Sequence, residues 1–202
     1  MAITNGYCSL ADVKSALRIT DAVDDSLIEL SIEAASREID GYCQRAFYPT
    51  TGTRVFDTTN AFLTETDDIV SVTTLKTSDD GATYDTTWAV TDFQLEPLNG
   101  VTAGLTQPYT RIRAVGDYLF PRWSVTGTYS NFAGVQVTGV FGWSTVPIAI
   151  KQAAILLAMR QFKRYDSPLG VAGFGDIGVM RVGRVDPDVE ALLMPFKKMV
   201  GA

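Results

Sequence analysis

Helical periodicity stands at both ends of this chain and is missing from its middle. That arrangement restricts its fold more than any other feature, because helix and strand bury side chains with different periods. At the N-terminal end Ser9 suits an N-cap, with Asp12 where a capping-box carboxylate sits, and Leu10, Val13 and Leu17 share one face. A short helix over 9–18 follows, broken by Thr20 to Asp24. A second helix opens at Asp24 or Asp25, whose carboxylates suit the positive end of the dipole. Ile28, Ile32, Ala35, Ile39 and Tyr42 recur at alternating spacings of four and three, predicting an amphipathic helix to about Gln44.

At the C-terminal end Pro147 fits a first helical position, and the pattern continues through Ile148, Ile155, Met159 and Phe162 to about Tyr165. The centre of this helix, AAILLAM, is apolar on nearly every side, more than a monomer of this size readily covers. Ile148, Ile155, Leu156, Met159 and Phe162 are therefore the candidates for packing against other subunits. A last helix starts with Asp186 as N-cap and Pro187 at its first position. Val189, Leu192, Leu193 and Phe196 share its apolar face, and Pro195 should bend or end it.

Between the helical ends, glycine, threonine and aspartate punctuate short β-rich runs: Thr53–Asp57, Ile69–Lys76, Phe93–Leu95, Thr110–Ala114 and Val135–Phe141. Ser78-Asp79-Asp80-Gly81 reads as a hairpin connection. The expected fold is α+β: a helical bundle of the N- and C-terminal helices with an inserted, mostly antiparallel β domain. The expected domains are 1–48, the insert 49–146, and 147–202 with a glycine-rich loop over 169–184.

Catalysis has no constellation here. Histidine is absent, which removes the commonest general base and metal ligand. Ser144, Ser167 and Cys43 lack any nucleophile-elbow setting. Gly173-Phe174-Gly175-Asp176-Ile177-Gly178 matches G-x-G-x-x-G, but a dinucleotide site needs it between strand and helix. This one follows a helix and Pro168, so it reads as a loop, and no cofactor is expected. Asp67-Asp68 and Asp79-Asp80 lack the alternation of a calcium loop and read as solvated turns, with no metal expected. Trp88, Trp123 and Trp143 sit in β context, which favours packing over a carbohydrate platform. Cys8 and Cys43 read as reduced, mostly buried thiols that would pair only if the first two helices brought them together. No apolar run approaches the roughly 20 residues of a membrane helix, and MAITNGYCSL has no signal-peptide character.

The charge is unevenly placed. The whole chain carries −6, but residues 1–150 carry −9 and residues 151–202 carry +3. An acidic body opposes clamping of DNA, whose binding rests on neutralised phosphates. A basic end implies a second kind of partner. Arg160, Lys163, Arg164, Arg181 and Arg184 flank the glycine loop, either as solvated groups at a helix end or as a surface for an acidic protein or DNA phosphate.

Three blocks carry a resemblance. The first is Tyr7-Cys8-Ser9-Leu10 with Val13-Lys14 and Leu17, then Asp24-Asp25, Leu27, Ile39-Asp40-Gly41-Tyr42-Cys43, Arg45, Phe47 and Tyr48. The second is Phe141-Gly142-Trp143 with Val146-Pro147, Ile150, Gln152-Ala153 and Arg160. The third is Asp166-Ser167-Pro168, Asp186-Pro187-Asp188-Val189, Leu192-Leu193 and Pro195. In this order they resemble the head-to-tail connector (adaptor) proteins of long-tailed phages, in the longer form of actinobacterial phages and gene transfer agents. The resemblance covers the helical ends and matches the middle only in layout.

It implies a non-enzymatic virion protein at the head–tail junction. The expected assembly is a ring, typically dodecameric, beneath the portal, meeting a stopper or tail-terminator protein and passing genomic DNA through its lumen. By the same resemblance the C-terminal segment engages the portal, which makes Val189, Leu192, Leu193, Phe196, Arg181 and Arg184 docking candidates. Two rival readings stand beside it. One is another neck or tail-completion component, a stopper or terminator, of which a stopper should be predominantly β. The other is a carboxylate-dependent glycan hydrolase or binding module, whose two acids would need to face one cleft.

Overall fold

The structure is a computed structural model that describes residues 3–58, 60–121, 123–125, 128–130, 133–166, 171–172, 180–181 and 186–198. For 123–125, 128–130, 166, 171–172 and 180–181 it describes the backbone alone. The chain divides into two compact units, Met1–Arg45 with Val146–Ala202, and Ala46–Thr145. The α+β class read from the sequence is the class observed.

The first unit holds α1 (Leu10–Leu17), α2 (Asp25–Cys43), α3 (Ile148–Asp166) and α4 (Pro187–Leu193), followed by a 3₁₀ turn at Met194–Phe196. Val171–Ala172 and Met180–Arg181 form a small antiparallel pair. Both arms of the capping box form at α1: the Asp12 amide donates to Ser9 Oγ at 3.1 Å and the Ser9 amide to Asp12 Oδ2 at 2.9 Å. Replacing Ser9 with alanine leaves those end groups to water and is expected to cost about 1 kcal/mol, read as a lower midpoint in urea unfolding.

In α2 the predicted stripe is the buried one: Ile28, Ile32, Ala35 and Ile39 are fully enclosed. Each such isoleucine contributes roughly 1.5–3 kcal/mol of burial. Tyr42 is the exception, lying half-buried at the stripe's edge with its hydroxyl donating to Glu190 at 3.1 Å. Cys43 takes the enclosed position instead. Helix α3 turns Ile150, Ala153, Ala154, Leu157, Ala158 and Phe162 inward, and it packs on α1, α2 and α4. Pro147 is the residue before the first turn, its carbonyl accepting from the Lys151 amide at 2.9 Å. Asp186 caps α4 through the Asp188 amide at 3.0 Å, and Pro195 sits in the 3₁₀ turn that ends it.

The second unit is built on a six-stranded antiparallel sheet. Its strands are β1 (Thr50–Phe56), β2 (Leu63–Thr77), β3 (Thr86–Trp88), β4 (Phe93–Glu96), β7 (Tyr109–Ala114) and β10 (Val135–Phe141). They run in the order β1-β10-β2-β7-β4, with β3 also on β2. Two small hairpins complete it, β5 (Val101–Thr102) with β6 (Leu105–Thr106) and β8 (Trp123–Val125) with β9 (Thr128–Ser130). Alternate residues of β10 turn inward, as its sequence pattern predicts.

Strand β2 curls. The Phe120 amide donates to the Ala61 carbonyl just before β2 begins, yet the Phe120 ring stacks at 4.9 Å on Trp88, which pairs with Leu75 near the other end of β2. A straight strand would hold those points ~40 Å apart. The curl encloses Ile69, Leu75, Trp88, Ile112, Phe120, Val135, Val137 and Phe141 as one core. It is accompanied by register shifts in β10 against β2 at Thr138/Gly139 and Val140/Phe141. At Gly139 a Cβ would strike the Ser71 carbonyl oxygen, so this close approach demands glycine.

The structure corrects the reading of Asp67-Asp68 as a solvated turn. Both lie within β2, and strand alternation sends them to opposite faces. Asp67 points outward and pairs with Arg54 at 2.7 Å, whereas Asp68 is buried and accepts from Trp143 Nε1 at 3.1 Å. Asp79-Asp80 does form the turn between β2 and β3. There Asp80 Oδ1 accepts from the amides of Ala82 and Thr83 at 2.8 and 2.7 Å.

Candidate assembly surfaces

Helix α3 is apolar on two opposite sides. One side is the buried row already described. On the other side lie Ile148, 83% exposed, and the half-buried Ile155, Leu156 and Met159, interleaved with exposed Gln152 and Lys163. At 3.6 residues per turn these side chains point away from the row that α2 covers. Four of the five candidates for subunit packing thus face outward. Phe162, 6% exposed, faces its own unit.

The apolar face of α4 is likewise turned into its own bundle. Val189, Leu193 and Phe196 are buried, Leu192 is half-buried, and the Lys198 amide donates to the Cys43 carbonyl at 2.9 Å. The large apolar residue that α4 and its terminal turn leave outward is Met194, 69% exposed. Arg184, the G-x-G-x-x-G segment, and with them most of 169–184 lie outside the described residues, as does the side chain of Arg181.

Between α2 and α3 runs a groove of about 320 Å³ lined by Ala34, Glu38, Leu157, Arg160, Gln161 and Arg164. Gln161 Nε2 donates to Glu38 Oε2 at 2.9 Å on its wall. The turn between α1 and α2 carries a contrasting surface. Val23 is 84% exposed and is flanked by Asp21 and Asp24, while Asp25 is held by Lys14 Nζ at 2.5 Å. In the sequence, 20–24 shows itself only as a helix break, and the groove leaves no local mark. The available signal was a lone valine among aspartates.

Lys151 of α3 reaches Asp12 of α1 at 3.0 Å. Hydrogen bonds from Ser9 first, then the Lys151 ammonium, hold the Asp12 carboxyl down at about 2, below its ordinary 3.8. A lowered carboxylate adds stability above its unfolded value and loses it as pH falls. The helical unit should therefore weaken between about pH 4 and pH 2, by a modest amount because the pair is partly solvated. Asp12→Asn should flatten that part of a stability-against-pH curve.

The two cysteines are unpaired and buried, and burial pushes each thiol up to about 12. A thiol-reactive dye at pH 8 should accordingly label neither in the folded protein and both in denaturant, since only the thiolate reacts.

In the β unit, Trp88 and Trp143 are core residues, which removes them as a carbohydrate platform. The side chain of Trp123 lies outside the described residues. Several carboxylates of the 57–96 stretch are held in structural bonds. Glu96 pairs with Arg113 at 2.5 Å, Asp92 Oδ2 accepts from the Ala89 amide at 2.7 Å, and Asp68 is held by Trp143. A cavity of about 150 Å³ lined by Ile69, Val70, Thr106, Gln107, Pro108, Tyr109, Trp143 and Ser144 contains no acid on its wall. Among the described residues no three metal-binding side chains cluster, and no helix is long and apolar enough to cross a membrane.

Residues 7–77 match the family described as phage gp6-like head-tail connector proteins. The likeness read from Tyr7 to Tyr48 is thus met by a match over about a third of the chain. No curated protein matches. Among solved structures, a chain from the neck of an empty gene transfer agent (GTA) particle computed with C6 symmetry is 20% identical, with TM-score 0.56, covering 100% of this chain and 95% of that one. A chain from the neck of the native GTA particle computed with C12 symmetry gives 20% identity, TM-score 0.56, and coverage of 100% and 94%. A third, from the virion of the native GTA particle, gives 20% and 0.53, with coverage of 100% and 95%. At this identity the likeness is one of fold, and it extends across both units.

Proposed function

From the connector match over residues 7–77 we propose that this chain is a structural virion protein: a head-to-tail connector that forms a ring under the portal and links the DNA-filled head to the tail. The observation that carries the reading is the family match over the first two helices and first two strands, on a chain whose whole fold resembles chains from the necks of gene transfer agent particles. A closed ring gives a use to the outward apolar row of α3, which an isolated subunit leaves in water. The C12 symmetry with which the native GTA neck was computed supports a dodecamer, and the C6 symmetry of the empty one is compatible with it. The ring's partners are the portal above and a stopper or tail terminator below, with genomic DNA crossing a lumen whose acidic subunits repel phosphate.

The role is non-enzymatic. Asp68 and Glu96 of the β unit are engaged in structural bonds, and the chain contains no histidine. Portal docking is assigned to the basic C-terminal segment with Arg181 and Arg184. Of the expected docking residues, Val189, Leu193 and Phe196 would need α4 to leave its own bundle first, since all three are buried there. The stopper reading is disfavoured by the helices at both ends of the chain, and the hydrolase reading by the structural bonds that hold Asp68 and Glu96.

The test is a stop codon in the gene within the particle that encodes it. Filled, tailless heads and free tails should accumulate, and supplying the chain in trans should restore joined particles. Normal tailed particles without the chain would refute the role.

A further inference from the structure

We infer that Val23, on the turn between α1 and α2, seats in the α2–α3 groove of a neighbouring copy, so that copies join head to tail. The inference rests on the connector reading for the existence of a ring and specifies which faces close it. The two surfaces complement each other in shape and in charge. Val23 is an apolar knob, 84% exposed, between the carboxylates of Asp21 and Asp24. Lys14 Nζ donates to the Asp21 carbonyl at 2.6 Å and to the Asp25 carboxylate at 2.5 Å, so the turn sets the carboxylates of Asp21, Asp24 and Asp25 against one ammonium. The groove offers Ala34 and Leu157 as an apolar floor, with Arg160 and Arg164 one helical turn apart on its rim. Its one acid, Glu38, is engaged by Gln161.

The contact is necessarily between copies. Asp25 begins α2 and Ala34 lies nine residues along it, so ~14 Å of rigid helix separates knob from groove within one chain. Because the two surfaces differ, the contact is heterologous, and repeating it generates a closed ring when the rotation closes. It also gives the charge asymmetry of the chain a use. The acidic N-terminal part of one copy meets the basic end of α3 in the next, and such pairing fixes register and excludes like-charged faces.

The test places cysteines at both surfaces of the full chain, Val23→Cys with Ala34→Cys. A disulfide needs Cα atoms within about 7 Å, so these two positions do not join within one copy. Under mild oxidation, alone and on the portal, the double variant should give a ladder of covalent multimers up to the full ring, and each single variant none. In parallel, Arg160→Glu with Arg164→Glu, and separately Asp21→Lys with Asp24→Lys, should each cut ring formation by at least about tenfold. An equimolar mixture of the two reversed chains should restore rings of alternating subunits, which no folding defect would permit. Rings that form without the 23–34 crosslink, or that tolerate both reversals, overturn this contact and leave the connector reading standing. Loss of portal capture with rings intact assigns the groove to an acidic portal segment and also overturns it. Chains that form no ring with or without portal overturn both readings.

Discussion

Replacing Gly142 with alanine is expected to destabilise the β unit by about 3 kcal/mol or more. Gly142 has φ +96°, where a side chain is strained whatever space surrounds it. Here there is no space either: a Cβ would strike the Tyr48 carbonyl oxygen and lie 3.2 Å from that of Ala46. Both obstacles are backbone, so neither can rotate away. The Gly142 amide meanwhile donates to the Asp68 carbonyl at 2.7 Å, so relief by moving the chain breaks a hydrogen bond of β2. For a unit of this size the loss is a fall on the order of 15 °C in the midpoint of its calorimetric transition. Gly52 provides the control, because a Cβ there meets nothing within 4 Å. Gly52→Ala should leave the midpoint nearly unchanged.

Trp143→Ala is expected to cost a further class of energy, about 3–5 kcal/mol from the emptied core. The indole is 3% exposed, lies 5.4 Å from the Phe47 ring, and gives its N–H to the buried carboxyl of Asp68. Removing it opens a cavity and withdraws a donor from a buried acid. Trp143→Phe separates the two effects, since it retains most of the apolar contact and loses the N–H. Its cost should be about 1–3 kcal/mol, the price of an unmet buried polar group. A Trp143→Phe, Asp68→Asn double variant measured by urea unfolding should show strong non-additivity, because the two groups share one bond.

The helices were legible because their signals are local. The Ser9–Asp12 box, the stripe from Ile28 to Ile39, and the Asp186-Pro187 start each depend on neighbours within a turn or two. Strand β10 was legible for the same reason, its alternation running the length of the strand. What escaped is what depends on distant chain. The first half of β2 reads as polar punctuation, Thr64 to Asp68, and only its pairing with β7 and the indole of Trp143 explains a buried aspartate there. The short strands β3, β5 and β6 carry too few residues to show a period.

The assembly surfaces divide in the same way. Excess apolarity in α3 announced an outward row, and four of its five named members do face out. The sequence could not show that Phe162 and most of the α4 face are consumed within the bundle, because one amphipathic stripe looks alike whether it covers its own unit or another. The groove between α2 and α3 is invisible in one dimension, since its walls are contributed from residues more than a hundred positions apart.

The most direct test of the connector assignment is native mass spectrometry of the purified full chain, alone and mixed with the portal of its own particle. The account predicts that the chain joins the portal as a ring whose copy number matches the portal's symmetry, whether or not it assembles by itself. A chain that stays monomeric in the presence of portal, with no mass added to the portal ring, would contradict it.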